Sequence, residues 1–246
     1  MKTPQFQRFL FPALLAFASS AAAVASPIVV NGNFGTPSSS PVQWGTQAAG
    51  GGDVGGPGTV TWGPGQYGYA PTNINGWAFS SLTPGVSGSG IANLGSAFGP
   101  STPPSGAQQV AFIQAVSGSA SISQTVSGFI SGDQYDLQFS LEGRSFGGAI
   151  TTVTIGGTTL LLDVTPSSNG WTTYNEYFTA SSTSELLTFL ASANGSDSDS
   201  TTFISGVEIT PEPGTLLLLG TGMLGMALLL FRKSKSTSRI GLDSRA

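Results

Sequence analysis

Apolar and polar residues alternate along the second half of the chain, which is the pattern of strands with one buried face. In residues 135–142 the odd positions are Tyr, Leu or Phe, and the even positions are Asp, Gln, Ser and Glu. Such alternation predicts a strand with one side toward a core and one side toward water. Val153 and Ile155 precede Gly156-Gly157, a pair that favours a two-residue hairpin turn. Further strands are predicted at 108–114, 121–126, 158–162, 171–179, 186–191 and 203–210.

The spacing of these strands predicts the fold class. Strands recur about every ten residues and no run between residues 26 and 210 has a helical period, so the pattern favours a sandwich or barrel. We predict an all-β fold, an antiparallel two-sheet β-sandwich of the jelly-roll type. Residues 35–76 are rich in Gly and Pro, and we expect long loops with a few short strands there.

The N-terminal 25 residues have the three parts of a secretory signal peptide. Lys2 and Arg8 form a basic region, residues 9–18 form a short apolar core, and Ala23-Val24-Ala25 is a small-x-small cleavage pattern before Ser26. The alternative is an uncleaved membrane helix, but the apolar core is shorter than the about 20 residues that span a bilayer. We therefore predict a signal peptide at 1–25 and an extracytoplasmic domain at 26–210.

A second apolar stretch, at residues 215–231, contains no charged residue. Its length lies at the short end of the range for a spanning helix. Pro211-Glu212-Pro213 precedes it and Arg232-Lys233 follows it, and cations at that place stop transfer and mark the cytoplasmic side. A buried core helix is the alternative, which the basic cluster disfavours. We predict a C-terminal tail at 211–246 with a transmembrane helix at 215–231 and a basic cytoplasmic end at 232–246.

The tail resembles the PEP-CTERM sorting signal of Gram-negative bacteria, since it combines Pro211-Glu212-Pro213, a glycine-rich apolar segment and Arg232-Lys233. The resemblance implies that an exosortase recognises Pro211, Glu212 and Pro213, cleaves near them and releases the body to the cell surface or extracellular matrix. It also implies anchoring in the membrane before processing, and a role in exopolysaccharide or biofilm.

Charge is scarce between the two terminal signals. Residues 26–210 contain one cation, Arg144, and ten acids, which gives a net charge of −9. Phosphate backbones repel such a domain, so nucleic acid is disfavoured as a partner. The chain has no Cys and no His, which excludes Ser-His-Asp and Cys-His nucleophiles and metal sites with those ligands. Carboxylate chemistry and oxygen-ligated Ca²⁺ are the remaining possibilities.

The order of elements in the body resembles the galactose-binding-like sandwich domains that precede many PEP-CTERM tails. The matching pieces are Asn31-Gly32-Asn33-Phe34, Gly76-Trp77, 108–113, 122–128, 135–139 and Gly170-Trp171. In several relatives an early acid and a late acid hold a structural Ca²⁺, and here Gly35 and Ser205-Gly206 stand at those positions. We predict no cofactor and no metal site.

Aromatic residues crowd the loop-rich first half of the body, and four of them are candidate glycan contacts: Trp44, Trp62, Tyr67 and Tyr69. Sugar rings stack on exposed aromatic faces, while nearby Asn, Gln or Asp side chains bind the hydroxyls. The alternative is that these rings pack under the loops at one end of the sandwich, because aromatic side chains are mostly buried. Trp77 and Trp171 are predicted to belong to the core.

Other polar groups in the body have structural explanations that compete with functional ones. Glu142 and Arg144 lie on one face of a strand, where we expect an ion pair, with a clamp for a ligand carboxylate as the alternative. Asp197-Ser198-Asp199 could attract Ca²⁺ but lacks the remaining spacing of a calcium loop, so we expect a solvated turn. A glycoside hydrolase needs two facing carboxylates, and no pair stands out by spacing. We predict no catalytic residue.

The sequence therefore predicts an exported, non-catalytic protein of the cell surface or extracellular matrix. Its sandwich would have a structural or weak glycan-interacting role in exopolysaccharide or biofilm. The predicted partners are an exosortase, the matrix polysaccharide, and the membrane before processing. A specific carbohydrate-binding module is the first alternative, and a carboxylate-only glycoside hydrolase is the second.

Overall fold

The computed structural model describes most of the body and a short piece of the tail. The described residues are 26–35, 42–44, 58–60, 67–71, 74, 76–80, 87–96, 98–145, 147–195, 200–212 and 222–227. The strands within them are β1 (Val42–Trp44), β2 (Gly58–Val60), β3 (Tyr67–Tyr69), β4 (Ala78–Phe79), β5 (Ser87–Asn93), β6 (Gln109–Ala115), β7 (Ser119–Ser127), β8 (Gln134–Gly143), β9 (Ile150–Ile155), β10 (Thr158–Val164), β11 (Thr172–Thr179), β12 (Ser184–Ser192) and β13 (Ser200–Pro211).

Two antiparallel sheets face each other and form a sandwich. The six-stranded sheet has the order β11-β8-β13-β6-β5-β3, and the five-stranded sheet has the order β10-β9-β12-β7-β4. Strands β1 and β2 form a separate antiparallel pair. From β6 onward every connection except the β9–β10 hairpin crosses from one sheet to the other. This confirms the predicted antiparallel β-sandwich, and such crossings are those expected of the jelly-roll type.

The core lies between the two sheets and is built from alternate residues of their strands. Leu137, Phe139 and Leu141 of β8 are fully buried, as are Ile122 and Phe189 of the five-stranded sheet. The rings of Phe139 and Phe189 meet edge to face, with centroids 5.3 Å apart. The apolar side that the alternation predicts for residues 135–141 is therefore confirmed.

The predicted hairpin turn at Gly156-Gly157 joins β9 to β10, with Thr158 opposite Ile155. Both glycines have positive φ, +55° and +83°, which the favoured two-residue hairpin turn requires. A Cβ on Gly156 would also lie 2.1 Å from Oε2 of Glu185. The positive φ of the turn thus favours glycine at position 156, and a side chain there would displace the neighbouring carboxylate.

Strand β5 is not predicted from the sequence, because Ser-Gly-Ser-Gly-Ile-Ala-Asn has no apolar alternation. All of its seven residues are nevertheless buried. A Cβ on Gly90 would lie 2.0 Å from the carbonyl oxygen of Gly68 in β3 and 2.8 Å from the ring of Phe112 in β6. The missing side chain therefore permits the close approach of the neighbouring backbone and ring, which is a recurrent reason for glycine inside a strand.

Both ends of the body emerge at one end of the sandwich. A Cβ on Gly128 would lie 3.4 Å from the carbonyl oxygen of Ser26, so the start of the body packs on this glycine. Gly128 and Gln134 bound the short connection from β7 to β8. The N–H of Glu212 donates to the carbonyl oxygen of Gln134 at 3.1 Å. Ser26 and Glu212 therefore lie at the same end of the sandwich.

Besides Pro211 and Glu212, the described part of the tail is a short helical piece. Residues 222–227 are helical and fall within the predicted spanning segment 215–231. No helix of the described residues has both the length and the apolar character that crossing a bilayer requires. The predictions for Ala23 and Ala25, and those for Pro213, Arg232 and Lys233, concern residues outside the described ranges.

Candidate functional site

Two of the four candidate aromatic contacts are packed into a cluster on the outer side of the six-stranded sheet. Tyr67 and Tyr69 are 8% and 4% exposed. The ring centroid of Tyr67 lies 4.4 Å from that of Phe98, and that of Tyr69 lies 5.0 Å from that of Phe112. The hydroxyl of Tyr69 donates to Oε1 of Gln114. Their burial favours the packing alternative over contact with a glycan.

The other predicted aromatic positions have separate outcomes. Trp62 and the side chain of Trp44 lie outside the described residues. Trp77 is 6% exposed and belongs to the core between the sheets, as predicted. Trp171 is only partly buried against the outer cluster, and its Nε1–H donates to the carbonyl oxygen of Ser101 at 3.1 Å.

The connection between β5 and β6 covers one half of the outer side of the six-stranded sheet. Phe98 in this connection packs into the aromatic cluster. The N–H and the hydroxyl of Ser101 donate to the carboxylate of Glu142, at 3.0 Å and 2.7 Å. The hydroxyls of Ser105 and Ser205 are 2.9 Å apart and share a hydrogen bond. These contacts hold the connection against strands β8 and β13.

The polar side of β8 is exposed to water over only part of its length, so the prediction of a wet face along residues 135–142 is wrong at its end. Gln138 is exposed, but Ser140 and Glu142 are each 5% exposed because the connection covers them. Glu142 accepts its hydrogen bonds from Ser101, while the Arg144 guanidinium lies 4.5 Å from the centroid of the Phe98 ring.

The other half of this outer side carries amide, hydroxyl and carboxylate side chains on three neighbouring strands. The strand register places Asn175, Gln138 and Glu208 in one row, and Tyr177, Asp136 and Thr210 in the next row. Side chains two residues apart on a strand share a face, and adjacent strands lie about 4.8 Å apart. The six residues therefore form a contiguous patch, which we call the polar face.

The polar face combines amide, carboxylate, hydroxyl and aromatic side chains. Nε2 of Gln138 donates to Oδ1 of Asn175 at 2.9 Å, which orients both amides while each keeps further capacity for hydrogen bonds. Oδ1 of Asp136 is buried and has no hydrogen-bond partner among the described residues, and a group of this kind requires an explanation. Tyr177, the cross-strand partner of Asp136, is 62% exposed. The exposed ring of Tyr177 thus lies beside a carboxylate oxygen of Asp136 that accepts no hydrogen bond within the described residues.

The electrostatics of the polar face limit its ligands. Asp136 and Glu208 are both acidic. Arg144 is the only cation of residues 26–210, and it follows the opposite end of β8, eight residues or about 26 Å along the strand from Asp136. Anionic ligands are therefore repelled, and neutral ligands with hydroxyl donors fit best.

The two most deeply buried carboxylates are far apart and have structural roles. Glu142 and Glu185 are each 5% exposed. Oε1 of Glu185 accepts hydrogen bonds from the N–H and hydroxyl of Ser181 and from the N–H of Ser182, at 2.5–3.0 Å. This turn lies at the Gln134 end of β8, whereas Glu142 lies eight residues further along the strand, or about 26 Å. Glycosidase carboxylates are about 5–9.5 Å apart, so these two do not form such a pair.

The acids also give no metal centre in the described residues, where no three of them gather as ligands. Ser205-Gly206, at the place of the late acid in relatives, lies at an irregularity in the pairing of β13, and Gly206 has a φ of +65°. Asp197 and Asp199 lie outside the described ranges.

The polar face is not a site that the sequence alone predicts. The alternation in residues 135–142 and the predicted strands at 171–179 and 203–210 contain its side chains. That β11 and β13 flank β8 was not readable from the pattern, since pairing joins segments far apart in sequence. The sequence of β11 alone therefore does not show which side chains lie next to Tyr177.

Comparison with known proteins identifies the tail. Residues 210–233 match the family model of the PEP-CTERM protein-sorting motif. This range includes Pro211, Glu212, Pro213, Arg232 and Lys233, so the predicted resemblance of the tail to a PEP-CTERM sorting signal is confirmed. No curated protein matches the chain.

Several solved structures are similar to part of the chain, each at low identity and with a low TM-score. The enzymatically active domain of tailspike protein 4 of bacteriophage CBA120 is 15% identical, with a TM-score of 0.42, and the match covers 56% of this chain and 20% of that one. TmCBM61, solved with β-1,4-galactotriose, is 16% identical, with a TM-score of 0.39 and coverages of 56% and 90%. A family 11 carbohydrate-binding module of Clostridium thermocellum is 9% identical, with a TM-score of 0.35 and coverages of 58% and 92%.

The present chain therefore spans one fifth of the tailspike domain and most of each carbohydrate-binding module. The body of the protein is an antiparallel two-sheet β-sandwich, and residues 210–233 match the PEP-CTERM protein-sorting motif.

Proposed function

We propose that this protein is exported, held in the membrane by its C-terminal segment, and released to the cell surface or extracellular matrix by an exosortase. The observation that carries this proposal is the PEP-CTERM motif at residues 210–233, which directly follows a folded body. Residues 1–25 would direct export, and residues 215–231 would anchor the chain until cleavage near Pro211-Glu212-Pro213.

Fractionation of the full-length chain in its native host tests the sorting step. In the wild type we expect the body in the surface or extracellular fraction. Replacement of Pro211, Glu212 and Pro213 by Ala should hold the body in the membrane fraction, because the enzyme loses its recognition element. Replacement of the exposed Ser167-Ser168-Asn169 by Ala is the matched control and should fractionate like the wild type. Equal release of the chain without Pro-Glu-Pro would contradict the proposal.

We further propose that the polar face binds a neutral polysaccharide of the surface matrix weakly and without catalysis. Tyr177 offers an exposed ring, the Gln138–Asn175 amide pair offers donors and acceptors, and Asp136 offers a carboxylate oxygen without a partner. The ring lies on β11, the edge strand of the six-stranded sheet. A ligand there would stay partly in water, and the small buried area supports weak binding.

A specific carbohydrate-binding module is the first alternative. It predicts strong selectivity among neutral glycans, whereas a weak matrix-binding surface predicts similar affinities for several of them. Affinity electrophoresis of the released body through gels that contain different neutral polysaccharides separates the two. Retardation by one polysaccharide alone would favour the specific module.

A carboxylate-only glycoside hydrolase is the second alternative, and one pair of acids on the polar face favours it. Asp136 and Glu208 are diagonal neighbours on adjacent strands, which places such residues about 7–8 Å apart. Inverting glycosidases hold their two carboxyl groups about 6.5–9.5 Å apart, a separation that side chains at such neighbouring positions can reach. Release of reducing ends from host exopolysaccharide by the wild type, and its loss in both Asp136→Asn and Glu208→Gln, would support the hydrolase. Absence of turnover would support the non-catalytic role.

A further inference from the structure

Two exposed isoleucines lie at the end of the sandwich where the body begins and ends. Ile28 is 70% exposed and Ile130 is 39% exposed. Pro27 packs on Gly128, because a Cβ on that glycine would lie 3.4 Å from the Cα of Pro27. Each isoleucine is within two residues of this contact along the chain. The two side chains therefore belong to one surface, which we call the isoleucine end.

The body is joined to the apolar segment of the tail at this same end. The N–H of Glu212 donates to the carbonyl oxygen of Gln134, where β8 begins. Two residues separate Glu212 from the apolar segment 215–231, and three residue steps span at most about 11 Å. While the segment is anchored in a bilayer, the isoleucine end is therefore held close to the bilayer surface. The far end of β8, at Gly143, lies nine residues or about 30 Å away.

The charges of the isoleucine end determine which attraction to lipid is available. Asp133 and Glu212 lie there, whereas Arg144, the only cation of residues 26–210, follows the opposite end of β8. Attraction of basic residues to anionic headgroups is therefore not available among the described side chains of this end. The exposed isoleucines remain, and apolar side chains of this kind bury about 5–10 Å into the boundary between headgroups and acyl chains.

We propose that the isoleucine end docks on the bilayer while the chain is anchored, with Ile28 and Ile130 inserted among the lipid headgroups. Two side chains bury little apolar area, so the docking depends on the tether, which keeps this end at a high effective concentration near the lipid. Cleavage near residues 211–213 removes the tether, and the released body then leaves the surface. This inference rests on the proposed anchoring of the tail in the membrane.

Single fluorescent labels test the docking, because the chain has no cysteine of its own. The full-length chain is exported in a host without an exosortase and purified from its membranes. One variant carries Ile28→Cys and another carries Ile130→Cys, each labelled with a fluorophore and reconstituted in phosphatidylcholine vesicles that contain a lipid with a nitroxide on its headgroup. We expect both labels to lose most of their emission through quenching by the nitroxide.

Leu190→Cys is the matched control, since Leu190 is exposed to the same 39% as Ile130. It lies opposite Ser121, seven residues or about 24 Å along β7 from Gly128. A label at this position should keep its emission. If the label at position 190 is quenched as strongly as the labels at 28 and 130, the docking proposal is overturned.

A second comparison separates insertion of the isoleucines from mere proximity to the lipid. The label is placed at Ser131→Cys, an exposed residue next to Ile130. Replacement of both isoleucines by Asp in that chain should restore emission, because a carboxylate does not enter the apolar boundary, whereas Leu190→Asp should leave the quenching unchanged. Unchanged quenching in the chain with both Asp substitutions would overturn the proposal.

Flotation of the vesicles distinguishes failure of this inference from failure of the proposed anchoring. If the full-length chain does not float with the vesicles, the anchoring fails, and the docking that rests on it fails too. If the chain floats while the labels at 28 and 130 keep their emission, the anchoring holds and only the docking fails.

Discussion

Replacement of Tyr177 by Ala is predicted to weaken binding of the polysaccharide about 15-fold. An aromatic side chain offers about 150–250 Å² of surface, and Tyr177 is 62% exposed, which leaves about 130 Å² in the free protein. A sugar ring stacked on one face covers about half of it, or about 65 Å². At about 25 cal/mol per Å² the stacked ring contributes about 1.6 kcal/mol, which corresponds to that factor.

Affinity electrophoresis of the released body, with exopolysaccharide purified from the same host, measures the change in dissociation constant. Tyr177→Phe keeps the ring and should bind within about twofold of the wild type, since only an exposed hydroxyl is lost. Leu186→Ala is a matched control, because Leu186 is 52% exposed on the five-stranded sheet, and it should not change binding.

A change in the stability of the Tyr177→Ala variant should not account for its weaker binding. Tyr177 is an exposed residue of an edge strand, and substitutions at such positions change the free energy of unfolding by about 0.5 kcal/mol or less. A folded Tyr177→Ala protein that binds as tightly as the wild type would refute the assignment of the polar face as the glycan site.

Three further predictions concern the packing of the six-stranded sheet. Phe112→Ala should lower the free energy of unfolding by about 3–5 kcal/mol, because the buried ring packs against both Tyr67 and Tyr69; urea denaturation that shows less than about 1 kcal/mol would contradict this packing. Glu142→Ala should lower the free energy of unfolding by about 2–4 kcal/mol, because two hydrogen bonds from Ser101 are lost. Hydrogen exchange at the Ser101 amide should become faster. Unchanged exchange would show that Glu142 does not hold the connection between β5 and β6. Burial raises the pKa of the Tyr174 phenol. The neutral phenol therefore stabilises the fold fully below about pH 10, and this stabilisation declines as the pH rises above it. Tyr174→Phe should remove this part of the loss of stability at alkaline pH, and an identical dependence of stability on pH in the variant would contradict the prediction.

Alternation along single strands was enough to predict the sandwich and much of its core. Leu137, Phe139 and Leu141 repeat every second residue and are buried as the pattern requires. The prediction works because side chains on a strand point alternately to the two faces, so local sequence alone separates the core side from the other side. The terminal sorting signal was readable for a similar reason, since its elements are contiguous in sequence.

Contacts between distant segments explain what the pattern did not predict. Strand β5 can form because Gly90 has no side chain and so leaves room for Gly68 and Phe112. A pattern of apolar alternation contains no sign of this. Glu142 is buried because Ser101, 41 residues away, folds back over it. The polar face is formed only when β11 and β13 pair with β8. In each case tertiary contact decided the outcome over local pattern.

The intact mass of the mature protein, purified from the surface or matrix fraction of its native host, tests release by an exosortase. Such release predicts a chain that begins at Ser26 and ends near Pro213, with no residue of the segment 215–246. A mature protein that still carries residues 215–246 would contradict exosortase release.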